Sequence, residues 1–241
     1  MNQDTIEING IKIHVRRSTR AKRLSLKIDS TGKFTLVIPK FTMGFSVNRF
    51  IEQNADWINE HTEKAKNMQK LHPKPKYQTG DTFYYFGEKV FLEVSPSSKK
   101  RPSIKIREDK MIICIYEKVS KKEGVEMVKK AIEKFYRKKA EEVIHDRLQF
   151  FSEQYDFKYN NVVLKNQKTR WGSCSSSKNL NFNWRLIMAP IEVIDYIVVH
   201  ELCHLKQMNH SLKFWKLIEK IIPDYKKSKK WLKEKHYLLN C

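Results

Sequence analysis

The stretch Val198-Val199-His200-Glu201-Leu202-Cys203-His204 decides how this chain is read. Apolar residues run into it from Ile191, and Pro190, a favoured first helical position, precedes them with Glu192 close behind. The pattern predicts a helix over 190–207. On that helix positions 200 and 204 stand one turn apart, so both imidazoles leave the same face and can meet one tetrahedral ion. Glu201, about 100° round the helix, stands beside such an ion rather than on it, where a general base for its water is needed. Cys203 points away from the histidine face and reads as a small core residue.

A catalytic zinc takes three protein ligands and keeps a fourth position open. His210, six residues beyond His204, is the candidate third ligand. The spacing from first to third histidine equals that of metzincins, but Gln207 occupies the position where those enzymes need glycine. The chain is therefore expected to turn by another route, with Met208-Asn209 ending the helix.

Working outward, helical spacing continues over 211–222 and 224–238, and strands are expected at 161–165 and 180–184. A long helix is expected over 121–155, with Val125, Val128, Ile132, Phe135, Ala140, Val143 and Leu148 as its core face. Further upstream the chain is mainly β. Strands are expected at 11–15, 24–28 and 34–38 with a turn at Ser30-Thr31-Gly32, then at 82–86, 89–94, 103–107 and 111–116. One helix interrupts them, over 45–66, with Phe50, Ile51, Trp57 and Ile58 on one side. The proline-punctuated run His72-Pro73-Lys74-Pro75-Lys76 reads as a connector. The fold class is α+β, with a β-rich N-terminal region over 1–117 and a mainly helical region over 118–241 that carries the chemistry. No internal repeat, low-complexity tract or phosphate-binding glycine loop is evident.

Composition sets the outer bounds. The 241 residues are 40% hydrophobic and 12% aromatic, which suits a folded chain with its own core. No apolar run reaches the ~18 residues of a membrane span, and nothing at the N-terminus resembles an export signal. Four cysteines (Cys114, Cys174, Cys203, Cys241) form no CxxC pair, so a reducing cytoplasm is the expected compartment and no membrane partner is expected. The net charge of +21 attracts polyanions, and Arg16 to Arg23, Lys99 to Arg101, Lys129 to Lys139 and Lys226 to Lys235 spread it along the chain. A nucleic acid or nucleotide partner through this basic surface is one reading, and a solubilising lysine-rich surface is the other.

The runs Arg170-Trp171-Gly172-Ser173-Cys174-Ser175, Asn183-Trp184-Arg185-Leu186, Asp195-Tyr196, His200 to His210, Phe214-Trp215 and Pro223-Asp224-Tyr225 with Trp231-Leu232 closely resemble the YgjP-like metallopeptidase family. That family is similar to the SprT-like and WLM groups of zincin-type proteins. Arg16-Arg17-Ser18 through Ile38-Pro39 extends the resemblance to most of the chain. It implies a zincin-like metallopeptidase domain over 118–241, one Zn²⁺ on His200, His204 and His210, and Glu201 as the catalytic base.

The expected activity is thus that of a zinc metallopeptidase-type hydrolase acting on a peptide or protein, through a zinc-bound water activated by Glu201. Two alternatives stand beside it: a metal-dependent nucleotide or phosphate hydrolase, and a nucleic-acid-associated SprT-like protease. Arg170 and Tyr225 are candidates for stabilising an oxyanion or seating a substrate carboxylate or phosphate, against a structural role for each. The tryptophans Trp171, Trp184, Trp215 and Trp231 read as core anchors. Ser173 and Ser175 have no adjacent base and do not read as nucleophiles.

Overall fold

The computed structural model describes residues 5–8, 10–28, 32–42, 44–71, 73, 75–167 and 170–239, with the backbone alone at 8, 44–45 and 68–71. The chain divides into two compact units, residues 1–74 and 75–241. The expected division at 117/118 falls inside the second unit.

The first unit holds β1 (Thr5–Ile8), β2 (Ile11–Ser18), β3 (Ser25–Ile28) and β4 (Phe34–Pro39), in the order β1-β2-β4-β3. β2 and β4 are parallel, and the outer pairs are antiparallel. Two helices follow, α1 (Gly44–Gln53) and α2 (Ala55–Leu71), where the sequence predicts a single helix over 45–66. The break is at Asn54, whose side-chain Nδ2 donates to the Phe50 carbonyl at 2.7 Å. Apolar spacing runs through that point, so periodicity alone conceals the break. Ile13, Val15, Phe34, Leu36, Ile38, Val47, Ile51 and Ile58 form this unit's own core. Ser30 and Thr31 of the expected turn, and His72 and Lys74 of the connector, lie outside the described residues.

The second unit opens with β5 (Thr82–Tyr85), β6 (Glu88–Ser97), β7 (Ser103–Arg107) and β8 (Lys110–Tyr116), in the order β5-β6-β8-β7. This sheet repeats the first in strand order and orientation, with β6 and β8 parallel. The first hairpin pair Thr5↔His14 is matched by Thr82↔Phe91, while the central parallel pair differs in register by two residues, with His14 beside Thr35 and Phe91 beside Lys110. In the central parallel pairs buried Ile13 and Val15 stand beside buried Phe34 and Leu36 in the first sheet, and buried Leu92 stands beside buried Met111 in the second. Gly10 and Gly87 turn the two first hairpins at φ 76° and 84°. The chain therefore contains an internal repeat that the sequence reading lacks. The two copies share few identities and mainly the alternation of apolar positions, which any half-buried strand shows.

The helix α3 (Lys121–Tyr155) leads from this sheet to the chemistry. A capping box starts it, with Ser120 accepting from the Glu123 backbone N–H and Glu123 accepting from that of Ser120, and left-handed Asp156 (φ 47°) ends it. Its buried row is Val128, Ile132, Tyr136, Ala140, Ile144 and Leu148, with Phe151 beyond. Val125, Phe135 and Val143, expected in the core, are half-buried. A row spaced by four winds about 40° per step round the helix. It therefore faces β8 near one end and, further along, the helix that carries the histidines. Tyr136 joins this row despite its hydroxyl because it donates to the Tyr84 carbonyl at 2.7 Å.

The remaining elements are β9 (Asn161–Lys165), β10 (Gly172–Cys174), β11 (Asn179–Asn183), a 3₁₀ turn Trp184–Met188, α4 (Ile191–His204), α5 (Leu212–Ile221), α6 (Tyr225–Lys235) and a 3₁₀ turn His236–Leu239. β11 pairs parallel with β9 and antiparallel with β10, which is an edge strand. β10 is absent from the sequence reading because three residues carry no period. The mixed strand and helix content, β-rich first and helical later, is the α+β class expected. Among the described residues no helix is long and apolar enough to cross a membrane.

Candidate metal centre

The helix α4 is apolar almost all round, with ten of its residues buried, among them Val193, Ile194, Val198, Val199 and Leu202. Burying one such aliphatic side chain stabilises by about 1.5–3 kcal/mol, so α4 is anchored by its whole surface. Two further ties fix its orientation. Arg147 of α3 forms a two-pronged pair with Asp195, its Nη2 donating to Oδ2 at 2.8 Å, and Ser228 of α6 donates to the Glu192 carbonyl at 3.0 Å.

α4 stops at His204 rather than running to 207. The N–H groups of Lys206 and Gln207 both bond to the Cys203 carbonyl, and the Gln207 carbonyl lies 3.1 Å from His204 Nδ1. A carbonyl only accepts, so Nδ1 carries the hydrogen and Nε2 keeps its lone pair. Gln207 shows no left-handed backbone, so the turn needs no glycine there. The helix therefore ends on these bonds and not at Met208-Asn209, where the sequence placed its end, and neither of those residues is left-handed.

The turn returns His210 to the other two histidines. One nitrogen each of His200, His204 and His210 lie within 4.8 Å of one another, and Nε2 of His210 is 3.1 Å from Nε2 of His200. Burial, followed by His204 and His210, pushes the His200 imidazole down to about 3, so it is neutral across the working pH range. His204 is lowered as well, mainly by burial. His200 Nδ1 is buried and has no hydrogen-bond partner among the described residues. Three imidazoles with converging nitrogens are the donor set of a divalent metal site, and the residues fit one.

Glu201 is 4% exposed, and its Oε2 is buried without a hydrogen-bond partner among the described residues. Burial pushes its carboxyl up to about 8, with Arg170 pulling the other way. What admits this side chain is Gly172 of β10, where a Cβ would stand 2.5 Å from Glu201 Oε1 and 2.6 Å from its Cγ. Any side chain at 172 would collide with Glu201. The strand is held at this distance by Asn183, whose backbone N–H donates to the Trp171 carbonyl at 2.8 Å and whose side chain donates to the carbonyls of Gln167 and Arg170.

An aromatic wall supports the histidines. Phe214, fully buried, contacts all three rings, with centroids 5.0 Å from His200, 4.6 Å from His204 and 4.8 Å from His210. Trp215 stacks on His210 at 5.7 Å and on Tyr225 at 5.6 Å, and Tyr225 stacks on Tyr196 at 6.2 Å. Of the tryptophans read as core anchors, Trp184 is buried in the core, whereas Trp215 lines the histidine cluster. Tyr225 is buried within this wall, while Arg170 is exposed and acts on Glu201 through its charge. Cys203 is fully buried and its thiol is pushed up to about 12 by burial, in keeping with a core residue. Ser173 accepts from Asn181 and Ser175 from the Asn179 backbone, so both are structural. Gly172, Phe214 and Tyr196 have no role in the sequence reading. The nearest signal was the Trp171-Gly172 and Phe214-Trp215 pairs, which carried only a family likeness.

Among curated proteins no relative matches the chain. Two solved metallopeptidase zymogens are similar to part of it, abylysin of Pyrococcus abyssi and jannalysin of Methanocaldococcus jannaschii. The identity is 22% in each case, over 39% and 40% of this chain and 95% of each of theirs, with TM-scores of 0.36 and 0.32. Residues 22–235 match the family described as YgjP-like, metallopeptidase domain, and the chain therefore belongs to the YgjP-like metallopeptidases.

Proposed function

We propose that this metallopeptidase is a zinc-dependent hydrolase of peptide bonds, with His200, His204 and His210 holding one Zn²⁺ and Glu201 as general base. The observation that carries the reading is the convergence of three imidazoles beside a buried carboxyl group with an oxygen unpaired among the described residues. Three nitrogen donors suit zinc, whereas a hard magnesium ion calls for carboxylates. When bound, the ion would polarise a substrate carbonyl and acidify a water molecule.

Glu201 then has one task, to take a proton at Oε2 and return it to the leaving amine. Its burial favours the neutral acid, so a proton once taken is held until the amine departs. Arg170 tempers that bias and stands where it can seat an anionic or oxyanionic substrate group. Tyr225 contributes by stacking Trp215 against His210. The open edge of β10, beside Glu201, offers backbone groups to an extended peptide.

The rival reading, a nucleotide or phosphate-ester hydrolase, draws on the +21 charge, but no carboxylate joins the imidazole cluster among the described residues. Purified full-length protein and Glu201→Gln, each assayed with casein and with nucleoside triphosphates, separate the two. Casein cleavage that disappears in Glu201→Gln supports the peptidase reading. Phosphate release without casein cleavage overturns it.

A further inference from the structure

The metal centre draws only on residues 75–241, which leaves the first unit, with its own core, unassigned. Its surface has an unusual makeup. Between Ile11 and Ile28 there are seven Lys and Arg and no Asp or Glu. Arg16, Arg17, Arg20, Lys22 and Arg23 are all exposed, and none enters an ion pair among the described residues; this unit's ion pairs, Lys64–Glu60 and Lys66–Glu63, lie on α2. At the end of β4, Phe41 is 91% exposed, more than any other large hydrophobic residue described. Lys40 Nζ stands 5.6 Å from its ring centroid. The turn that carries Phe41 and the segment after β2 border one groove of about 410 Å³, lined by Thr19, Lys22, Pro39, Lys40 and Phe41 among others.

The internal repeat supplies a control for what the fold itself requires. In the second copy the corresponding stretch from Glu88 to Ile106 contains Glu88 and Glu93, and Glu93 pairs with Lys110 at 3.3 Å. The same strand order thus forms with acidic residues in that stretch, and the most exposed phenyl of its strands, Phe91, is 45% exposed against 91% for Phe41. The acid-free strip belongs to the first copy's surface alone.

We infer that this groove, with the arginines beside it, binds single-stranded nucleic acid. Five exposed cations without acidic partners match a run of phosphates, and a phenyl ring flanked by an ammonium offers a base a stacking platform beside its own phosphate. A duplex hides its base faces and would leave Phe41 idle. A membrane surface would use the charge with no requirement for an aromatic stack. This site lies apart from the peptidase reading and stands or falls separately.

The test is fluorescence anisotropy of full-length protein with a labelled oligo(dT) of about twenty nucleotides. A duplex of the same length and phosphatidylserine-containing vesicles serve as competitors. The single strand should bind with an affinity that falls as salt rises. Phe41→Ala should weaken it by about five- to a hundred-fold at fixed salt with the salt slope unchanged. Lys22→Ala/Lys40→Ala should flatten the slope of log K against log salt by about 1.4, since two phosphates then lack a cationic partner. Phe41 is exposed, so its variant should melt with the wild type, and its casein cleavage should be unaltered. No binding at low salt overturns the inference. So does Phe41→Ala binding as wild type, or preferential capture by duplex or vesicles.

Discussion

A Cβ at Gly172 would lie 2.5 Å from Oε1 of Glu201, so the strand β10 and the carboxylate of α4 occupy adjoining space with nothing between them. Gly172→Ala must displace the carboxylate or the strand. If the proposed base acts from its present position, the variant should cleave casein at least about ten-fold more slowly while binding metal as before, because a small misplacement of a reacting group is costly. Steady-state rates set beside metal content check this. Wild-type rates in Gly172→Ala would show that the carboxylate's place is not critical.

Burial acts on the two ionisable types of the centre in opposite senses. Glu201 is raised from 4.5 to about 8, so the unfolded chain ionises first and metal-free protein loses stability as pH climbs through that interval. His200 is lowered from 6.5 to about 3, so the unfolded chain takes up the proton first and stability is lost as pH falls from 6.5 towards 3. With a chelator present, Glu201→Gln should match or trail wild type near pH 5 and surpass it by up to a few kcal/mol near pH 8. Urea denaturation at the two pH values measures the gap. A gap that does not change with pH would contradict the account.

The Arg147–Asp195 pair ties α3 to the helix bearing the histidines. Burial raises the Asp195 carboxyl more than Arg147 lowers it, so the carboxylate depends on its partner. Arg147 also lies over the rings of Phe150 and Phe151, at 4.9 and 5.1 Å. Arg147→Ala should cost about 2–4 kcal/mol, and Arg147→Ala/Asp195→Asn less than the sum of the two single changes. Denaturant midpoints for the four proteins test this. Additive losses would mean the pair is not coupled.

What could be read from the sequence was what depends on neighbours in the chain. His200 and His204 are related by helix geometry, and the apolar run before them implies burial. His210 could be named, but its route could not, because the route depends on a backbone carbonyl of Gln207 that any residue would supply. Gly172 was out of reach for another reason. Its requirement arises from Glu201, on a different element, and no backbone angle marks it. The sheets were found strand by strand, yet their repetition was hidden, since alternation recurs in unrelated strands as readily as in related ones.

The most direct test of the central claim is the metal content of the purified protein and of single variants, by elemental analysis. Wild type and Glu201→Gln should each carry about one zinc per chain, and His204→Ala should carry essentially none while still folding by circular dichroism. Wild-type zinc in His204→Ala, or a wild-type protein that takes up no zinc, would contradict a metal centre on the three histidines.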